Sequence, residues 1–128
     1  MSYYFTKTVE GTLEKVEEKT REALKSQGFG VLTEIDVKET LKKKLNVNHP
    51  PYKILGACNP PFAHKALQTE NQIGLMLPCN VVVQKKSEGV VEVSAIDPSV
   101  AMSSIDNPKL MDIAKEVSEK LQKVLSLI

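Results

Sequence analysis

The chain has 128 residues, with 17 Lys and Arg against 16 Asp and Glu and a net charge of +1. This length is typical of one domain with its own core, so we expect a single domain over residues 1–128. The balanced charge argues against a nucleic-acid partner, and no apolar run reaches the roughly 18 residues that a membrane span needs. The start of the chain lacks a signal-peptide pattern, and two cysteines do not form a disulfide scaffold, so we expect a soluble, cytoplasmic protein.

A strand and then a long helix are predicted at the beginning of the chain. Tyr3, Phe5 and Val9 can share one face of a strand. Thr12 is a suitable N-cap for the helix that follows, because its hydroxyl can accept a hydrogen bond from a free backbone N–H. Gly28 predicts the end of this helix, since glycine adopts the left-handed conformation easily.

A second strand and a short helix are predicted next. Side chains suited to strands recur at every second position from 31 to 37. Residues 38–46 predict a short helix, with Leu41 and Leu45 facing inward.

A third strand over residues 52–58 leads into another helix. Asn59 is a good N-cap, and Pro60 suits the first position of a helix over roughly residues 60–69.

Strand patterns then cover residues 73–77 and 79–84. Pro78 separates them and cannot donate to a strand ladder, so it predicts an edge or a bend. Residues 87–89 predict a hairpin turn before a strand that returns over residues 91–95.

The last helix is the clearest element of the sequence. Asn107 is its predicted N-cap. Glu116–Lys120 and Glu119–Lys123 are predicted ion pairs at the favourable i,i+4 spacing. An apolar stripe predicts its buried face, made of Leu110, Ile113, Ala114, Val117, Leu121, Val124, Leu125 and Ile128.

This order of elements predicts an α+β fold, a mainly antiparallel sheet with two long helices on one face and short helical insertions. The other face of the sheet must then meet solvent, a ligand or a second subunit. Val81, Val82 and Val83 place apolar side chains on both faces of one strand. This pattern favours a homodimer or a lined cavity.

Charge is nearly absent from the middle of the chain, where residues 54–83 contain only Lys65 and Glu70. Both cysteines, Cys58 and Cys79, lie in this segment. We therefore expect the segment to form core, interface or a pocket.

Cys58 is the first candidate catalytic residue, because it directly precedes a predicted helix. The positive end of the helix dipole would favour its thiolate. The alternative is that Cys58 is a small buried side chain at the end of a core strand. Cys79 and Asn80 repeat the Cys-Asn pair, and the two cysteines could form a regulated disulfide.

His64 could act as a base for such a thiol, or be an exposed helix residue. A metal site of Cys58, Cys79 and His64, with His49 as a fourth ligand, has no CxxC or zinc-finger spacing behind it. We therefore predict no metal site and name no cofactor, although a metal carrier stays an alternative.

Three segments resemble the bacterial and archaeal domain-of-unknown-function family numbered 302. They are Gly28–Val37, Ile54–Pro60 and Gly74–Val83. The resemblance implies a β-α-β(4)-α domain similar to TATA-binding-protein-like folds, and a homodimer. The residues that match the motifs are Gly56, Cys58, Asn59, Pro60, Pro78 and Cys79.

We expect a dimeric small-ligand-binding or sensing module, with a cleft or dimer seam around Cys58, Asn59 and Cys79. Its candidate ligand-binding residues are Gly56, Cys58, Asn59, Pro60, Cys79 and Asn80. One alternative is a thiol-based redox or sulfur-transfer protein that uses Cys58 and Cys79, and another is the metal carrier. The lack of a complete catalytic motif favours binding over catalysis without deciding between them.

Overall fold

The computed structural model describes residues 2–128. Apart from one segment, its elements follow the order that the sequence predicts. The strands are β1 (Tyr4–Glu10), β2 (Gly30–Asp36), β3 (Tyr52–Cys58), β4 (Cys79–Ser87) and β5 (Val90–Ile96). The helices are α1 (Leu13–Ser26), α2 (Val37–Leu45), α3 (Pro60–Thr69), α4 (Pro98–Ala101) and α5 (Pro108–Ser126), with a 3₁₀ helix at Asn71–Met76.

The five strands form one sheet in the order β1-β5-β4-β3-β2. Every neighbouring pair is antiparallel. The predicted α+β class and the β-α-β(4)-α order are therefore confirmed, with α2, α3 and α4 as the short insertions.

Helices α1 and α5 pack against each other and against the same face of the sheet. Alternate residues of each strand point towards these two helices. In β5 the residues buried in this way are Val91, Val93 and Ala95. The predicted caps of the two long helices are present: the Thr12 side chain accepts from the N–H of Lys15, and the Asn107 side chain accepts from the N–H of Leu110. This layer is the main core.

A second, smaller core lies beside the first. It joins α3, the 3₁₀ helix, α4 and the first half of α5, through Ala66, Ile73, Met102, Leu110 and Ala114. Ile113 packs against both cores. The seam between the two cores lies along α5, and it holds the site described below.

The predicted strand over residues 73–77 is wrong, because this segment belongs to the 3₁₀ helix. β3 and β4 pair with neighbours on both sides, so the sheet has no free edge here for another strand. The segment instead buries Ile73 in the smaller core and leaves Leu75 exposed.

The predicted inward face of α2 is also wrong, since α2 has no buried residue and Leu45 is 66% exposed. α2 contacts β2 and β3 at the border of the sheet. It therefore lies beside the main core and not over it.

Ion pairs concentrate on α1 and not on α5. Glu17 contacts Arg21 and Lys53, each at 2.9 Å. Glu34 contacts the same two cations, at 3.3 and 3.0 Å. In residues 2–128 no ion pair forms at the positions predicted on α5.

Over the part of the chain that is described, no helix is both long and apolar enough to cross a membrane.

Candidate functional site

A small cavity lies where the two cores meet, between α3, α5 and the neighbouring ends of β3 and β4. Its free volume is about 40 Å³. Apolar side chains form most of its wall, and they include Phe29, Ala57, Phe62, Ala66, Ile113 and Val117. The polar lining comes from Cys58, Asn59 and Cys79, which are three of the residues that the sequence singles out.

The strand register brings the two cysteines to this cavity. Ala57 pairs with Cys79 as the last pair between β3 and β4, and Cys58 follows directly. Cys58 therefore lies one residue beyond this pair, close enough to Cys79 to contribute to the raised pKa of its thiol. Both cysteines are free thiols in the structure.

The two thiols differ in exposure. Cys79 is buried, whereas Cys58 is partly exposed. Burial, aided by the nearby Cys58, raises the pKa of the Cys79 thiol to about 11. Cys79 therefore stays protonated at neutral pH, which disfavours it as the residue that makes a first nucleophilic attack on a substrate.

Asn59 occupies the N-cap position of α3, but its side chain makes no capping hydrogen bond. Its Nδ2 instead donates to the carbonyl oxygen of Gln27 at 3.2 Å. Gly28, with φ of +85°, leaves the space that this amide fills. Asn59 thus ties the end of α1 to the start of α3 and borders the cavity.

Three of the other candidates lie away from the cavity. Pro60 is exposed at the start of α3, and His64 is exposed on the same helix and is not part of the cavity wall. Asn80 is exposed and borders a depression on the opposite face of the sheet. The structure therefore brings Cys58, Asn59 and Cys79 together, and not the whole predicted set.

Gly56 lies on that opposite face, where it pairs with Asn80. A Cβ atom at this position would collide with the Thr33 hydroxyl and would approach the Pro78 ring to 2.7 Å. Gly56 is therefore required for close packing of β2, β3 and the segment before β4, and it does not line the cavity.

The sequence matches the domain of unknown function DUF302 over residues 5–128. The chain belongs to the DUF302 family. Its structure is similar to the crystal structure of the uncharacterized conserved protein DUF302 from Bacillus stearothermophilus. The two share 29% sequence identity and a TM-score of 0.91, and the match covers 98% of each chain. No match is found among curated proteins.

Sequence reasoning missed two features of this DUF302 domain's cavity. Phe62 forms part of the wall, and the ammonium groups of Lys65 and Lys120 lie 5.6 and 5.8 Å from the centre of its ring. Lys65 follows Phe62 at the i,i+3 spacing in α3, so the contact between them was predictable from the sequence once a helix is assumed. Lys120 comes from α5, and no local pattern in the sequence connects it to α3.

The DUF302 domain shows no metal centre in the part described, since no three His, Cys, Asp or Glu side chains of residues 2–128 could hold an ion together. The ring of His49 packs edge-on against Tyr52 at 5.7 Å, and Tyr52 is at the opposite end of β3 from Cys58. The arrangement of these side chains therefore does not support the metal-carrier alternative.

The opposite face of the sheet holds a shallow, mostly uncharged depression. Its lining includes Tyr4, Tyr52, Val82 and Ile96. Glu92 is the charged residue in this lining, and it accepts a hydrogen bond from Gln84. This face of the DUF302 domain is therefore nearly neutral and partly apolar.

Proposed function

We propose that this DUF302 domain is a small-ligand-binding or sensing module, and that the cavity between α3 and α5 is its site. The observation that supports this proposal is the meeting of two separate cores at a cavity with an apolar wall and three clustered polar points. Binding sites are commonly mostly apolar, with a few polar groups that orient the ligand.

The size of the cavity limits the ligand. A water needs about 10–15 Å³ of such volume, so 40 Å³ holds about three water-sized groups. Drug-sized ligands occupy sites of about 300 Å³ or more. The proposed ligand is therefore very small, or it inserts only a short apolar part.

NMR of the alanine and isoleucine methyl groups tests this proposal, with butyramide as a neutral probe. We expect saturable shifts of the Ala66, Ile113 and Ala114 methyl groups. Ala63→Leu fills the cavity from its partly exposed side and should abolish these shifts, whereas Ala101→Leu, a matched change outside the cavity, should preserve them. Unsaturable or scattered shifts in the wild-type protein would contradict the proposal.

We also propose that a second copy of the chain covers the open sheet face. A symmetric dimer places the same patch against itself, so a nearly neutral patch avoids the repulsion that a charged one would meet. The apolar side chains of Tyr4 and Ile35 are 43% and 48% exposed, and a partner on this face would remove them from water.

Sedimentation equilibrium tests this pairing. We expect the mass of a dimer for the wild-type chain and that of a monomer for Val82→Lys, which places a charge at the centre of the face. Gln122→Lys, on the exposed side of α5, should remain dimeric. A monomeric wild-type protein would contradict the proposal of a dimer and leave the ligand site as it is.

Thiol chemistry is a second candidate function, favoured by the register that places both cysteines on one cavity. In the proposed reaction, the Cys58 thiol attacks a small hydroperoxide and becomes a sulfenic acid, releasing an alcohol or water. The Cys79 thiol then attacks the Cys58 sulfur, the S–S bond forms, and the sulfenic oxygen leaves as water with the Cys79 proton. The net reaction joins two thiols and reduces one hydroperoxide.

Peptide mass spectrometry after treatment with one equivalent of hydrogen peroxide tests this reaction. We expect a Cys58–Cys79 disulfide in the wild-type protein, and a Cys58 sulfenic acid, trapped with dimedone, in Cys79→Ala. Cysteines that stay unmodified until the protein unfolds would identify both as packing residues and end this candidate.

A further inference from the structure

The edge of the cavity carries two positive charges close to one aromatic ring. The Nζ atoms of Lys65 and Lys120 lie 5.6 and 5.8 Å from the centre of the Phe62 ring. Phe62 itself lines the cavity. Two helices, α3 and α5, thus contribute one ammonium group each to the surroundings of this ring.

These ammonium groups have no carboxylate partner among residues 2–128, where neither lysine takes part in an ion pair. The i,i+4 spacing of Glu116 and Lys120 favours a pair, yet the Lys120 side chain extends towards Phe62 instead. The interaction of an exposed ammonium group with an aromatic face contributes only about 0.5–1 kcal/mol. Both charges are therefore available to an anion at the edge of the cavity.

We propose that the ligand is a short-chain carboxylate, with its carboxylate between Lys65 and Lys120 and its apolar tail inside the cavity beneath Phe62. This inference rests on the proposed ligand-binding function and names the class of its ligand. The apolar wall favours an alkyl tail, and the volume of about 40 Å³ limits that tail to about three heavy atoms.

The neighbouring backbone favours side chains as the source of anion recognition here. α3 begins with Pro60 and Pro61, which have no backbone N–H to donate to an anion. The helix N-terminus is therefore poor in the donors that usually bind phosphate. The two lysines supply the positive charge in its place.

The test compares butyrate with butyramide, which has nearly the same shape and no charge, by NMR titration at low salt. We expect butyrate to bind the wild-type protein about tenfold more tightly, because two partly exposed charge pairs supply that preference. The preference should shrink as salt is added, since salt screens exposed charges.

The double variant Lys65→Gln/Lys120→Gln should lose the preference and keep its affinity for butyramide. The control Lys115→Gln/Lys123→Gln makes the same change in the net charge of the chain, away from Phe62, and should keep the preference. Sulfate, an anion without a tail, should not shift the methyl groups of the cavity.

Each outcome separates this inference from the proposed function. Equal binding of butyrate and butyramide, or a preference that survives Lys65→Gln/Lys120→Gln, overturns the carboxylate assignment and leaves the cavity as a ligand site. Failure of both probes to bind overturns the proposed function together with the inference.

Discussion

Ser118 in α5 donates a hydrogen bond of 2.8 Å to the Oδ1 atom of Asp97, directly after β5. The same oxygen accepts from the backbone N–H and the hydroxyl of Ser99, at 3.0 and 2.6 Å. Asp97 is only 9% exposed. One carboxylate oxygen therefore ties the end of the central sheet, the first turn of α4 and the middle of α5 together.

Ser118→Ala should lower the free energy of unfolding by about 1–2 kcal/mol, because a buried carboxylate loses one of its donors. Urea unfolding at neutral pH measures this change. Ser103→Ala removes an exposed hydroxyl that donates within its own turn, so its effect should be much smaller. An equal decrease in the free energy of unfolding in the two variants would show that the hydrogen bond from Ser118 to Asp97 has no special role in stability.

Gly56→Ala should destabilise the protein by about 2 kcal/mol or more, because overpacking costs energy where the surroundings cannot yield. The added Cβ meets Thr33 on one strand and Pro78 on the neighbouring segment. Gly74→Ala is the control, since its new Cβ meets nothing within 4 Å. Thermal unfolding should separate the two variants, and a stable Gly56→Ala protein would contradict the packing described at β3.

The buried thiol of Cys79 should make stability fall in alkaline solution. Its pKa is about 11 in the folded chain, against an ordinary value of 9.0. Between these values the unfolded chain loses the proton first, so stability is complete below pH 9 and decreases towards pH 11, by about 2–3 kcal/mol.

Urea unfolding at pH 8 and pH 10.5 measures this decrease. Cys79→Ala should show a smaller decrease than the wild-type protein, because lysines and tyrosines titrate in both. Cys58→Ala should keep most of the wild-type decrease, since burial is the larger cause of the shift at Cys79. An unchanged decrease in Cys79→Ala would refute the assignment.

Glu17 should stabilise the fold above its pKa and not below it. Burial alone would raise the pKa of this carboxyl, but hydrogen bonds from Lys53 and Arg21 outweigh burial and lower it. A lowered pKa contributes stability that is present above the unfolded value and is lost as the pH falls through the folded one.

Glu17→Gln should therefore cost about 1 kcal/mol at pH 7, and the difference from the wild-type protein should vanish near pH 3. Glu18→Gln, the exposed neighbour on α1, should have little effect at either pH. A cost for Glu17→Gln that does not change with pH would indicate lost packing and not lost charge.

Local patterns predicted most of the fold, because helix caps and apolar periodicity act within a few residues. Thr12, Gly28 and Asn107 mark helix ends in the sequence and in the structure alike. The wrong strand at residues 73–77 depends on the sheet as a whole, since no edge of β3 or β4 was free to accept it.

From the sequence, the members of the site were predictable only where they lie at the ends of strands. The Cys-Asn pairs at 58 and 79 follow or begin core strands, and this position brought the two cysteines together. The partnership of Lys120 with Phe62 depends on how α5 crosses α3, which no short segment encodes. Gly56 and Asn80 fall on the opposite face because alternate residues of a strand point to opposite sides.

The two cores have a consequence for how molecules reach the cavity. α3 and α4 line it on the side of the smaller core, and the strands of the sheet belong to the main core. A local opening of α3 and α4 away from α5 would therefore leave every strand pair intact. Amide protons of α3 should then exchange faster than those of β4, while the pairing of the sheet persists.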